Sequence, residues 1–178
     1  MQGHSVEIRN RARALAGNFL EVKRLFGKEP ACMLPFFWAN GFTDLHLAVF
    51  GGQLDLIEFL VQHGADLRHS LHVAAFCYNL KVARLLLDAG AEKVERNDTL
   101  GSGMTSLHLA AGSGCLKMVQ LLAENGANID VAMTGGQTQT PWQFMPPASV
   151  VNGSPAVRLA FLCGHQDVVG FLVGASFE

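Results

Sequence analysis

The chain has 178 residues, of which 49% are hydrophobic and 16% are charged, so it can bury a continuous core and does not resemble a disordered segment. Its formal net charge of −2 gives no general attraction to nucleic acid or to an anionic membrane, and neither is expected as a partner. No apolar run reaches the roughly 18 residues of a membrane-spanning helix and no secretory signal follows Met1, so we expect no membrane insertion and a cytoplasmic location.

The first predicted helical unit covers residues 5–28 and has a central glycine, Gly17. It is followed by an unusually apolar loop, residues 30–41, in which Phe37 and Trp38 belong to a run of three aromatic residues. These side chains either pack beneath the N-terminal helix or form an interaction patch, and the sequence leaves both alternatives open. An exposed patch would bind a partner or join two copies of the chain.

Two later segments, residues 41–67 and 103–130, have nearly the same sequence and predict the same pair of helices. In each, a threonine can cap a short apolar helix through its hydroxyl group, and a glycine then turns the chain. Leucines at three- and four-residue spacing predict a second, amphipathic helix, which a Gly-Ala pair ends. The residues in these roles are Thr43, Gly52 and Gly64 in one copy and Thr105, Gly114 and Gly126 in the other.

The segment between them, residues 69–93, is a shorter copy of the same unit. It follows its predecessor so closely that there is little room for a projecting loop. Tyr78 occupies the position of the turn glycine. Because bulky residues rarely adopt positive φ, this position predicts either a strained turn or a different one.

The last copy covers residues 139–175 and carries an insertion near 145–153. Two successive prolines in this part of the chain exclude a regular helix. We expect the helix to restart with Ser154 as its cap and Pro155 at its first position.

The motif Thr-x-Leu-His-Leu-Ala, followed by a turn glycine, a leucine-rich helix and Gly-Ala-Asp or Gly-Ala-Asn, resembles the ankyrin repeat. It stands at Thr43–Ala48 with Gly64–Asp66, and again at Thr105–Ala110 with Gly126–Asn128. The resemblance implies an all-α solenoid of stacked helix-turn-helix units with short hairpin or loop fingers. It also implies a single domain over residues 1–178, with about five repeats that bury their faces against one another.

Three of the predicted short helices have a histidine in their first turn: His46, His72 and His108. The resemblance implies that each ring bonds to the backbone and to the capping threonine at a repeat boundary. A row of histidines can also suggest a metal site. No carboxylate or cysteine recurs beside them, so we expect no metal.

No catalytic residues are predicted. Cys163 and His165 are close in sequence, but the repeat pattern places them in a turn between helices with diverging side chains. A nucleophile needs a base within hydrogen-bond reach and a third group that orients the base, and no such set is visible. We therefore expect no enzyme activity and no cofactor; the alternative is an enzyme with Cys163 or Cys77 as its nucleophile. The four cysteines are far apart, which favours free thiols.

The resemblance implies a non-catalytic module for protein–protein interaction that holds a partner protein on its concave face and finger loops. The sequence leaves open whether this is a eukaryotic regulator or a bacterial effector directed at a host cell. Another alternative is a regulatory, inhibitory or targeting domain that docks on an enzyme or forms part of a larger one. We expect a monomer, with a dimer through the loop at 30–41 as the alternative.

The candidate partner contacts follow from positions in the repeat pattern. Phe50 and Phe76 lie at the ends of two short helices, two residues before the turn position, where a side chain faces a neighbour or the groove. The remaining candidates lie in the predicted finger loops: Phe37, Trp38, Arg96, Asn97, Asp98, Met133 and Trp142.

Overall fold

The computed structural model describes residues 43–91, 103–133 and 153–175, which form eight helices and no strand. The predicted unit at 5–28 and the apolar loop at 30–41 lie outside the described residues. The helices are α1 (Asp44–Phe50), α2 (Leu54–Gln62), α3 (Ser70–Phe76), α4 (Leu80–Asp88), α5 (Ser106–Gly112), α6 (Leu116–Glu124), α7 (Ala156–Leu162) and α8 (Gln166–Ala175).

The helices form four consecutive pairs, each made of a short first helix and a longer second helix. Each first helix packs on the next first helix, so that α1, α3, α5 and α7 form one row. The second helices α2, α4, α6 and α8 form another row in the same way. The predicted all-α solenoid of stacked helix-turn-helix units is therefore confirmed for the described residues.

Small side chains allow the first helices to pack closely. The alanine five residues after the N-cap is fully buried in every described first helix. Because protein interiors are close-packed, a larger side chain at this position would push neighbouring helices apart. These four alanines are Ala48, Ala74, Ala110 and Ala160.

Thr43 and Thr105 cap α1 and α5, as predicted, and each cap involves the histidine three residues later. The Nδ1 atom of His46 lies 3.0 Å from the backbone nitrogen of Thr43 and 2.7 Å from its Oγ1. His108 makes the same contacts with Thr105, at 3.1 and 2.7 Å. Since a backbone N–H can only donate, Nδ1 is the acceptor and the ring proton is on Nε2.

The Nε2 side of each histidine faces the next repeat. A ring of one repeat bonds to the backbone of the residue that directly precedes the N-cap of the following first helix. The histidines therefore join the first turn of one repeat to the start of the next, at three successive junctions. The pairs are His46 with Arg68, His72 with Met104 at 3.0 Å and His108 with Ser154 at 3.2 Å.

The turn between the two helices of a repeat requires positive φ. Gly52, Gly114 and Gly164 have φ of 67°, 73° and 83° at this position. Tyr78 occupies it in the third unit and has φ of 56°, a conformation that costs an L-residue with a bulky side chain free energy. The strained turn, one of the two alternatives predicted for Tyr78, is the one present.

Residues 63–69 connect α2 to α3 by a turn without a projecting hairpin, as the short third copy predicts. Asp66 accepts hydrogen bonds from the backbone N–H of Arg68 at 3.0 Å and from its Nε at 2.7 Å. The Arg68 side chain holds the pKa of Asp66 below its ordinary value. Asn128 accepts the corresponding backbone bond from Asp130 at 3.0 Å, so both Gly-Ala motifs lead into the same kind of turn.

The two ends of the segment at 134–152, which lies outside the described residues, meet at a pair of backbone hydrogen bonds. The N–H of Met133 donates to the carbonyl of Ser154 at 3.0 Å, and the N–H of Gly153 donates to the carbonyl of Met133 at 2.8 Å. This pair brings the last repeat back to the stack.

The helix after this segment begins one residue later than predicted. Pro155 is the N-cap residue of α7 and makes no side-chain cap, and Ala156 is the first helical residue. Ser154 contributes its carbonyl oxygen, which accepts from both Met133 and His108, rather than a capping hydroxyl group. The prediction of Ser154 as the cap was wrong because a contact with another repeat determines its position.

Replacing Tyr78 by glycine should raise the free energy of unfolding by about 1 kcal/mol, because glycine adopts positive φ without the steric cost. Urea denaturation of the natural and variant chains measures the difference. Gly164→Ala is the matched control: an added Cβ there meets nothing within 4 Å, so its loss of stability reports backbone strain alone. A Tyr78→Gly chain less stable than the natural one would contradict the prediction.

His46 should make the stability of the chain depend on pH. Its pKa is lowered from 6.5 to about 4, mainly by burial and also by the nearby His69. The hydrogen bond to the Arg68 backbone and the charge of Asp66 raise the pKa, but by less. Between these values the unfolded chain binds the proton more readily than the folded chain, so stability falls as the pH falls.

We therefore compare the free energy of unfolding of the natural chain with that of His46→Gln. The difference should shrink by roughly 3 kcal/mol between pH 6.5 and 4, at about 1.4 kcal/mol per pKa unit. Above pH 7 it should be constant. Urea denaturation of both chains across this range measures it. A difference independent of pH would show that His46 does not titrate between these values.

Candidate functional site

Three of the four described first helices end in an apolar side chain at the edge where the chain turns: Phe50, Phe76 and Leu162, whereas α5 ends at Gly112. Phe50, the last residue of α1, is 58% exposed, which is unusual for a large aromatic side chain. Phe76 is at the same position in α3 and is half-buried. Because α1 and α3 pack against each other, two aromatic residues stand at neighbouring points of this edge. The exposed Tyr78 follows directly in the adjoining turn.

Polar side chains in the turns lie against the turn of another repeat. Asn79 caps α4 by accepting a hydrogen bond from the N–H of Val82 at 3.2 Å. Its amide nitrogen lies beside Gly52, where an added Cβ would be only 3.1 Å from it. In the last repeat, the His165 ring covers Gly114 so closely that any side chain there would overlap it.

The same ring makes a hydrogen bond to the neighbouring repeat. The Nε2 atom of His165 lies 3.1 Å from the carbonyl oxygen of Gly112, at the end of α5. This hydrogen bond joins the turn of the last repeat to the end of α5.

Several predicted contacts lie outside the described residues: Phe37, Trp38, Arg96, Asn97, Asp98 and Trp142. Met133 is described and is only 2% exposed, with its backbone bonded to Gly153 and Ser154. Its side chain belongs to the core and is not available to a partner in this structure. Phe50 and Phe76 are therefore the described candidates whose side chains reach the surface.

Reasoning from the sequence missed two features of the structure. The repeat pattern marks His165 as a departure from the usual turn residue, but it does not indicate that the ring bonds to Gly112. Phe161 of α7 is 62% exposed and was not a candidate, although its position in the repeat is apolar in the other copies. Aligning the copies position by position shows that this position is apolar in each, but it does not show which copy leaves the side chain exposed.

The cysteines named as alternative nucleophiles have environments that disfavour the reactive thiolate. Burial raises the pKa of both Cys77 and Cys163 above the ordinary value. Cys77, Cys163 and Cys115 form no disulfide bond. A catalytic cysteine needs the opposite change, a pKa lowered by a neighbouring base or cation.

Neither a metal cluster nor a membrane-spanning helix is found in residues 43–91, 103–133 and 153–175. No three histidine, cysteine or acidic residues come together there as metal ligands would. The longest of the described helices, α8, has 10 residues, whereas about 20 are needed to cross a bilayer.

A family model for ankyrin repeats, in three copies, matches residues 12–98 and 45–133. Two similar proteins are the nuclear factor NF-kappa-B p105 subunit of Rattus norvegicus and the B-cell lymphoma 3 protein homolog of Mus musculus. The first is 35% identical over 95 residues, 49% of this chain and 10% of that protein. The second is 35% identical over 96 residues, again 49% of this chain, and 21% of that protein.

A longer match is to the probable E3 ubiquitin-protein ligase XBOS33 of Oryza sativa subsp. japonica. It is 28% identical over 190 aligned residues, which cover 88% of this chain and 36% of that protein. The chain thus spans well under two thirds of the length of each of these relatives.

Cys77 and Cys163 should react with iodoacetamide more slowly in the folded chain than in the chain unfolded in urea, because burial reduces the thiolate fraction of each. Mass spectrometry of the alkylated peptides at pH 8 gives the rate for each cysteine separately. The urea-unfolded chain is the internal control. A folded-state rate above the unfolded rate at either cysteine would revive the enzyme alternative.

Proposed function

Because the chain belongs to the ankyrin repeat family, whose repeats generally serve in protein–protein interaction, we propose that it is a non-catalytic module that binds a partner protein. The partner lies along the row of first helices and contacts the finger loops. The observation that carries this proposal is the exposed Phe50 beside Phe76, at the same position of two packed repeats.

An aromatic side chain at this edge is suited to contribute a large share of the binding free energy. Large aromatic residues bury much surface and lose little conformational entropy on binding, so they often dominate the binding free energy. Phe50 stands on a helix that is capped by Thr43 and joined to the next repeat through His46. It is therefore held in place before a partner arrives, which reduces the entropy lost on binding.

From the repeat pattern we expect residues of the finger loops to complete the proposed surface. Arg96, Asn97 and Asp98 would supply polar contacts, and Phe37, Trp38 and Trp142 would supply apolar ones. We leave Met133 out because its side chain is buried. The relatives named above come from eukaryotes, which favours a eukaryotic regulator over a delivered bacterial effector.

A second candidate is a docking or targeting domain for an enzyme. It is supported by the match to a protein named as a probable E3 ubiquitin-protein ligase, in which the aligned region makes up 36% of that protein's length. In that case the repeats would position a substrate or a partner, and the catalysis would belong to another domain or another protein.

Affinity capture from a eukaryotic lysate should recover a partner with the natural chain and lose it with Phe50→Asp. The variant should fold normally, because Phe50 is mostly exposed. Glu58→Arg is the matched control, since Glu58 is exposed on α2 in the row of second helices and its charge change should leave capture unaffected. Thermal denaturation of all three chains verifies that they are equally folded.

A double variant, Phe37→Asp with Trp38→Asp, tests the first finger in the same experiment. Loss of the partner in the double variant alone would assign binding to that finger instead of Phe50. Capture by all variants equally would contradict the proposed surface. An enzyme among the captured proteins whose activity changes when the purified chain is added would favour the second candidate.

A further inference from the structure

Tyr78 has a strained backbone conformation that no described contact of its side chain accounts for. Its φ is 56°, at a turn position where the other described repeats have glycine. Its side chain is 49% exposed, and no hydrogen bond joins its hydroxyl group to a residue that the structure describes. Because glycine adopts this turn at a lower cost, the stability of the chain does not explain a tyrosine here. Strained residues are concentrated at sites that bind ligands and partners.

Two lysines stand where the second helices themselves favour acidic residues. Lys81 and Lys117 are the second residues of α4 and α6, near the positive ends of the helix dipoles. The same position holds an acid in the two flanking second helices, Asp55 in α2 and Asp167 in α8. Each lysine therefore stabilises its helix less than an acid would. Like the tyrosine in the turn, both lysines depart from what local stability favours.

These departures are neighbours in the structure. Because α4 packs against α6, Lys81 and Lys117 occupy the same position on adjacent helices, whose axes are about 8–10 Å apart. Tyr78 precedes Lys81 by three residues, in the turn that leads into α4. Arg84 lies one turn further along the same side of α4. All four side chains are exposed, and together they form what we call the basic face.

The positive charges of the basic face are not neutralised by the part of the chain that the structure describes. No described residue forms an ion pair with Lys81, Arg84 or Lys117. All other charged residues of the four second helices are acidic, and those on α4 and α6 are the last residues of these helices, Asp88 and Glu124. The basic face is thus a local positive region on a row of helices that is otherwise negative, and it complements a negatively charged ligand.

A short acidic protein segment fits this face better than a larger polyanion does. The three cations are spread over two neighbouring helices only. Nucleic acids and anionic membranes carry charge over a longer or wider surface, so they would also meet the acids of the flanking helices, Asp55 and Asp167. The exposed ring of Tyr78 offers apolar contact area to a peptide, and its hydroxyl group can donate a hydrogen bond to a carboxylate.

We propose that the basic face binds an acidic segment of a partner protein, with carboxylates on Lys81, Arg84 and Lys117 and with Tyr78 as a contact residue. The inference rests on the proposed function in that the segment belongs to a protein partner. It adds the chemistry of that segment, and it does not require the contact at Phe50.

Fluorescence anisotropy of the full chain with a labelled twelve-residue peptide of alternating Glu and Ala tests the proposal. The natural chain should bind this peptide and not the matching peptide of Lys and Ala, and binding should weaken as salt is added. Lys81→Glu and Lys117→Glu should each lower the affinity about fivefold. Because an acid suits the start of either helix, both variants should unfold at the same temperature as the natural chain or higher, which separates binding from folding.

Tyr78→Gly tests the turn in the same assay. This variant should bind the acidic peptide more weakly although its relaxed turn makes it more stable, so the loss cannot come from unfolding. Arg158→Glu is the matched control for charge, because Arg158 is exposed on α7 outside the basic face and its reversal changes the net charge equally. Its affinity for the peptide should equal that of the natural chain.

The proposal is overturned if the acidic peptide does not bind, if Arg158→Glu loses as much affinity as Lys81→Glu, or if Tyr78→Gly keeps full affinity. Tighter binding of single-stranded DNA of the same charge would assign the face to nucleic acid and would equally overturn it. Phe50→Asp should bind the peptide as the natural chain does. A negative result here is therefore distinguishable from a failure of the proposed function, which the capture experiment tests at Phe50.

Discussion

The close contact between successive first helices is the constraint on which the rest of the chain depends. Each of these helices has only seven residues and could not persist alone in water. The buried alanines bring neighbours near enough to exclude water, and the histidine rings add a bond that fixes how the neighbours are placed. In His46 and His108 one ring nitrogen bonds to the cap of its own repeat, and the ring also bonds to the next repeat, so successive repeats stabilise each other.

This constraint acts at the starts of the helices and leaves the connecting segments free to differ. After both the short link at 63–69 and the long segment at 134–152, the next first helix takes its place in the same row. Loop length changes the free energy of closure only slowly, so a long insertion is tolerated once its ends are held. The bonds of Met133 with Gly153 and Ser154 hold these ends, which explains why Met133 is buried where a finger-tip contact was expected.

Features that arise within one repeat could be predicted from the sequence, and features that arise between repeats could not. The threonine caps, the turn glycines and the strain at Tyr78 follow from local chemistry, and the structure contains them. The bond from His165 to Gly112 depends on residues far apart in the chain. For the same reason, the sequence identifies Phe50 as a candidate contact but does not determine how much of it is exposed.

Exposure in a stacked fold is decided by the neighbour rather than by the residue. Val49 and Phe161 occupy the same position of the repeat, yet one is buried and the other largely exposed, because only the first is covered by another helix pair. An apolar residue at such a position is therefore informative only in the last described repeat. Phe50 is different, because it lies at the turn edge and is 58% exposed even though α1 is packed against α3. The two aromatic residues thus mark surfaces with separate causes, one that the stack leaves uncovered and one that it presents.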